Sequence, residues 1–201
     1  MTSAAEPGVT ERSDVRTIVG GGVKLGVVTA GGVTVFALLS RMLAGPSEIL
    51  LQSVLVFVGV GVFAYLPTSW VRPRGIDGIA WTALVGLLGA LVFTVVDTAL
   101  LRPVNLYHWT WDQIGGGSGF WYIPIWWMGS AVLAWLGGWA WSRGGGGSAV
   151  ARAGQTAVVG AVLFAIIVLT GILPFHAGTA ALAGTLGLVA MVPLVGVLRG
   201  A

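Results

Sequence analysis

The chain predicts an all-α fold: a polytopic integral membrane protein, a bundle of six transmembrane helices. Three observations point to it. Apolar residues make up 56% of the 201 residues and charged residues only 8%, where a soluble domain carries roughly 25% charge. The apolar residues gather into runs of about 20, the length at which a helix crosses hydrocarbon while satisfying its own backbone. Short clusters of Gly, Pro, Ser and Arg separate the runs, and these residues favour turns over continued helix.

Residues 1–16 mix both charges (Glu6, Glu11, Arg12, Asp14, Arg16) and read as a short, disordered cytoplasmic tail. The transmembrane domain then occupies 17–198. Its first span is expected at 17–42, longer than the roughly 7–15 residues of a signal-peptide core, so it reads as a retained helix. Ala44-Gly45-Pro46-Ser47 turns the chain into a second span at 48–69, and Arg72-Pro73-Arg74-Gly75 into a third at 79–101. The outer loop, 102–119, holds Asn105, His108, Asp112 and Gln113 beside Gly115-Gly116-Gly117, and suits a surface-lying or re-entrant segment. A fourth span at 120–142 carries Pro124 near its start, where a missing N–H does no harm. Ser142-Arg143-Gly144-Gly145-Gly146-Gly147-Ser148 reads as a glycine linker. Spans at 155–174 and 177–198 are joined at Pro174-Phe175-His176, and 199–201 form a cytoplasmic C-terminus.

Six spans put both termini on one side. That side then holds Arg12, Arg16, Lys24, Arg72, Arg74, Arg143, Arg152 and Arg199, and the other only Arg41 and Arg102. Positive residues stay in the cytoplasm, so a multi-pass protein of the cell membrane with both termini cytoplasmic is expected. Lys24 lies inside the first span but close enough to its inner end to snorkel. The net charge of +3 therefore reports orientation, and no nucleic-acid partner is expected from it.

Much chemistry is excluded. The chain has no cysteine and two histidines, His108 and His176, so His and Cys cannot assemble a metal triad. No G-x-S-x-G elbow, Walker loop or H-E-x-x-H motif occurs. No catalytic set, metal or cofactor is expected.

What stands out is tryptophan: eight of the ten fall between residues 109 and 141. An aromatic belt at the headgroup level accounts for Trp109, Trp111, Trp121 and Trp141. Trp127, Trp135 and Trp139 fall roughly on one face of the fourth helix and reach its middle, where each indole N–H needs a partner. Ordinary bundle packing and an aromatic wall for an apolar ligand both remain open. In the second case Trp126, Trp127, Trp135 and Trp139 line the cleft, with Gln52, Ser130 and Asp97 to orient a headgroup. Asp97 is the acidic residue set within a span, and it suits either an ion pair with Arg41 or Arg102 or a contact with a ligand. Gly22, Gly26 and Ala30 recur every four residues, a face for close packing within the bundle or between copies in a homo-oligomer.

The run from Asp97 through Arg102-Pro103-Val104-Asn105-Leu106-Tyr107 into Phe120-Trp121-Tyr122-Ile123-Pro124-Ile125-Trp126-Trp127 resembles the insulin-induced gene (Insig) family and its bacterial homologues. Size, six spans and cytoplasmic termini are similar too. The resemblance implies a cavity between helices for a diacylglycerol-like or sterol-like lipid. The expected function is thus non-enzymatic binding of a membrane lipid in a Trp-lined intramembrane cavity. A small transporter or channel with Asp97 at its mouth is the alternative. Others are a lipid or isoprenoid enzyme using His108, Asp97 and Asp112, and a structural subunit whose protein partner the sequence does not name.

Overall fold

The computed structural model describes residues 11–106, 122–143 and 148–200, with side chains at 11–106, 124–143 and 148–192. The expected disorder of residues 1–10, the form of the segment 107–121 and the linker residues 144–147 lie outside the described residues. So do His108, Asp112, Trp109, Trp111 and Trp121.

Among the described residues the fold is all-α: α1 (Val15–Met42), α2 (Pro46–Val71), α3 (Ile76–Val96), α4 (Tyr122–Arg143), α5 (Ala149–Leu169) and α6 (Ala177–Gly200). A π-helical turn, Asp97–Leu101, continues α3. Four helices, α1, α2, α3 with its π-turn, and α5, are long and apolar enough to cross a membrane. α4 is 22 residues long and carries no charge before Arg143, but its five tryptophans lower its mean hydropathy.

Asp14 starts α1, its carboxylate accepting from the N–H of Thr17 (2.9 Å) and from the Thr17 hydroxyl (2.7 Å). These bonds hold the exposed Asp14 carboxyl below its ordinary pKa. The fifth helix differs most from expectation, running over 149–169 where the apolar run suggested 155–174. Ser148 is the reason at its start: its Oγ accepts from the N–H of Ala151 (3.4 Å), so the helix begins ahead of Arg152. At the far end Gly171 takes a left-handed φ of 71° and stops it.

α2 is the central helix, touching each of the other five. Around it α1, α3, α4, α6 and α5 pack in that spatial order. Small residues permit the approach. A Cβ added to Gly137 of α4 would overlap the carbonyl of Ala64 in α2, and one on Gly22 of α1 would overlap Leu88 of α3. Gly26 meets Val92 and Gly89 in the same way, so the four-residue face on α1 is spent inside the bundle. Apolar side chains face outward instead, as on α5 at Val158, Val162, Ile166 and Leu169. That inversion suits a hydrocarbon solvent.

Threonine and serine hide their hydroxyls along the helices. Thr29 bonds the carbonyl of Leu25, Thr82 that of Gly78 and Ser53 that of Ile49, each at 2.7 Å. The basic residues collect at one end. There the N–H of Arg12 donates to Val71 (2.9 Å) and that of Arg74 to Oε2 of Glu11 (3.0 Å), which straps the chain ahead of α1 over the α2–α3 turn. Lys24 reaches toward this end, its ammonium 6.0 Å from the Trp70 ring centre. At the opposite end Arg41 donates to the carbonyl of Asn105.

Candidate functional site

The expected site residues fall into three places. α4 runs antiparallel to α3 and sets Trp127 at one end and Trp135 and Trp139 at the other beside it, while Trp141, expected in the headgroup belt, is buried in the core with Ala64 and Tyr65 of α2 and Leu188 of α6. Near the Arg41 end, Trp127 donates from Nε1 to Oγ1 of Thr94 (3.0 Å), and Thr94 in turn donates to the carbonyl of Ala90 (2.8 Å). This indole is a stitch between two helices. Its neighbour Trp126 turns toward the core, edge-on to Phe63 of α2 (5.8 Å between ring centres) and tilted against Phe93 of α3 (5.4 Å).

Halfway along, the seam is closed. Ser130 is buried, and a Cβ on Gly86 would stand 2.7 Å from its carbonyl oxygen. Gln52 lies elsewhere, on α2, where Nε2 donates to Ser40 and to Glu48, both at 2.9 Å. It ties the end of α1 to the start of α2.

At the basic end the seam opens into a groove of about 260 Å³ between the start of α3 and the end of α4. Trp135 and Trp139 form one wall, their rings stacked at 6.4 Å and 15°. Ile76 and Ile79 of α3 form the other, and Arg74 and Arg143 stand at the rim. Arg143 lies over the Trp139 face at 4.9 Å, a cation–π contact that keeps the guanidinium at the mouth. Trp135 is 45% and Ile76 71% exposed, so the groove opens to the outside of the bundle. Glu11 already occupies the backbone at the start of α3 through the N–H of Arg74. Recognition of an anion here would therefore fall to the arginine side chains.

The third place is the π-turn. Asp97 is 1% exposed, and Arg102 bonds it through Nε to Oδ2 at 2.9 Å. The π-turn makes this pairing: the N–H of Arg102 bonds the carbonyl of Asp97 itself (2.9 Å), five residues back, and brings the side chain over its partner. Of the two partners the sequence allowed, Arg102 is the one used, while Arg41 engages Asn105.

Arg74 and Arg143 were legible in the sequence only as turn and topology residues, and nothing in the sequence singled out Ile76 and Ile79. Their sequence signal is weak: each arginine flanks an apolar run, and the runs are far apart in the chain. Among the described residues no three His, Cys, Asp or Glu side chains group as metal ligands.

Together these features define an all-α polytopic membrane bundle with an aromatic, arginine-rimmed groove at one end. No family model, curated protein or solved structure matches the chain.

Proposed function

We propose that this is a non-enzymatic integral membrane protein that binds a membrane lipid in the groove between α3 and α4. The observation that carries the reading is the coincidence, at one groove, of a stacked tryptophan pair and two arginines. The indoles and isoleucines offer apolar surface to an acyl chain. The arginines offer fork-shaped donors to a phosphate or carboxylate headgroup. Two guanidinium groups at one rim favour an anionic headgroup over a neutral diacylglycerol-like or sterol-like one. A lipid held against the helices is also what the resemblance to the insulin-induced gene family implies.

Orientation supports the reading. With the basic end inside, the groove sits at the cytoplasmic leaflet, where anionic lipids attract basic residues. The test is native mass spectrometry of the detergent-purified chain after exposure to vesicles of phosphatidylglycerol or of phosphatidylcholine. Phosphatidylglycerol adducts should persist at higher collision energy. In Arg74→Ala/Arg143→Ala their occupancy should fall roughly tenfold, as expected for lost charge-assisted bonds, and in Trp135→Ala it should fall through lost apolar contact. Equal retention of both lipids, or unchanged occupancy in folded variants, would overturn the proposal.

A further inference from the structure

Two buried polar atoms are left without a partner among the described residues: Oδ1 of Asp97 and Nε1 of Trp126. An orphan of this kind is rare, because it forfeits its hydration and gains nothing in return. The two orphans are complementary, one an acceptor and the other a donor. They also share a layer. Phe93, Asp97 and Leu101 recur at four-residue spacing along one face of α3 and its π-turn. Phe93 and Leu101 belong, with Ala30, to the cluster on which Trp126 packs, and the Phe93 and Trp126 rings touch. Asp97 thus lies, along its helix, between two members of the cluster on which Trp126 packs.

The chemistry selects what could satisfy both atoms. A cation would suit the carboxylate and be repelled by the indole N–H. An anion would do the reverse. A neutral hydroxyl does both jobs, since it donates one hydrogen and accepts another. The Asp97 charge itself is already met by Arg102 through the other oxygen, so a neutral guest adds no uncompensated charge.

We propose that Asp97 Oδ1 and Trp126 Nε1 bind one neutral hydroxyl group, the carboxylate accepting its hydrogen and the indole donating to its oxygen. Water and an alcohol-headed lipid are the two sources of that group. The site lies at the opposite end of α4 from the arginine groove and does not depend on it.

The experiment uses the full chain in detergent with ¹⁵N-labelled tryptophan. Trp126→Phe identifies the Trp126 indole signal and keeps the ring contacts with Phe63 and Phe93. In the native protein that signal should sit at a hydrogen-bonded position, and in Asp97→Leu, similar in shape, it should move to an unbonded one. An unbonded signal in the native protein, or a bonded one that survives in Asp97→Leu, overturns the proposal. Should Asp97→Leu fail to fold, the Asp97 carboxylate stretch in the infrared decides. It shifts in Trp126→Phe if a hydroxyl is shared, and an unchanged band overturns the proposal. Lipid extraction of the same samples separates the sources. An alcohol-headed lipid at one per chain, depleted roughly fivefold in Trp126→Phe, identifies the lipid. A bonded indole signal that persists after delipidation identifies water.

Discussion

Trp126 and Trp127 are adjacent in sequence and have opposite environments. The Trp127 N–H has an acceptor in Thr94, and the Trp126 N–H has none among the described residues. Both indoles look alike in a sequence, because a tryptophan declares its need for an acceptor and not whether a neighbouring helix supplies one. Thr94 can be tested directly. Thr94→Val keeps the shape and removes the acceptor, and should lower stability by about 1 kcal/mol. Thr94→Ser should be near silent. Thermal unfolding in detergent reads both, and a silent Thr94→Val would mean that the stitch contributes nothing. Asp97 shows the same limit: its position within a span marked it, but its choice of Arg102 over Arg41 came from the π-turn.

At the scale of helices, the fold depends on where glycine faces another backbone. Gly137 and Gly20 both sit inside helices and differ entirely in context. A Cβ on Gly137 overlaps the Ala64 carbonyl, whereas one on Gly20 has nothing within 4 Å. Gly137→Ala should therefore push α4 from α2 and cost about 1–3 kcal/mol or more. Gly20→Ala should be neutral or stabilising through helix propensity. The difference in midpoint temperature between the two variants checks this, and equal midpoints would contradict the α2–α4 contact. Helix existence was legible from apolar runs, since a length of about 20 residues is set by the bilayer. The ends of α5 were less so. A hydropathy run does not register a serine cap, and Arg152, in the first turn of the helix that Ser148 starts, lies outside the apolar run.

Over the whole molecule, charge divides the bundle. Arg12, Arg72, Arg74, Arg143 and Arg152 belong to one end, and Arg41 and Arg102 to the other. The strap from Glu11 and Arg12 to the α2–α3 turn ties the first end together. The positive-inside bias predicts that this end is cytoplasmic. The chain has no cysteine, so single cysteines can report the sidedness. A membrane-impermeant thiol reagent added to intact cells should label Asn105→Cys and spare Ser148→Cys until the cells are permeabilised. The reverse pattern would invert the topology and move the arginine groove to the outer leaflet.

The sequence by itself determined the class of this protein: helical, membrane-embedded and six-helixed. Run length, charge placement and turn residues are local properties that a bilayer reads one segment at a time. Only the tertiary structure decided which side chains meet. It closed the α3–α4 seam at Gly86 and Ser130, gathered Arg74 and Arg143 around Trp135 and Trp139, and left Asp97 Oδ1 and Trp126 Nε1 buried without a partner among the described residues. Lipid offers apolar helices little hydrophobic reason to prefer one neighbour over another. The choice rests on close packing and a few hydrogen bonds, between residues too far apart in the chain for local pattern to connect.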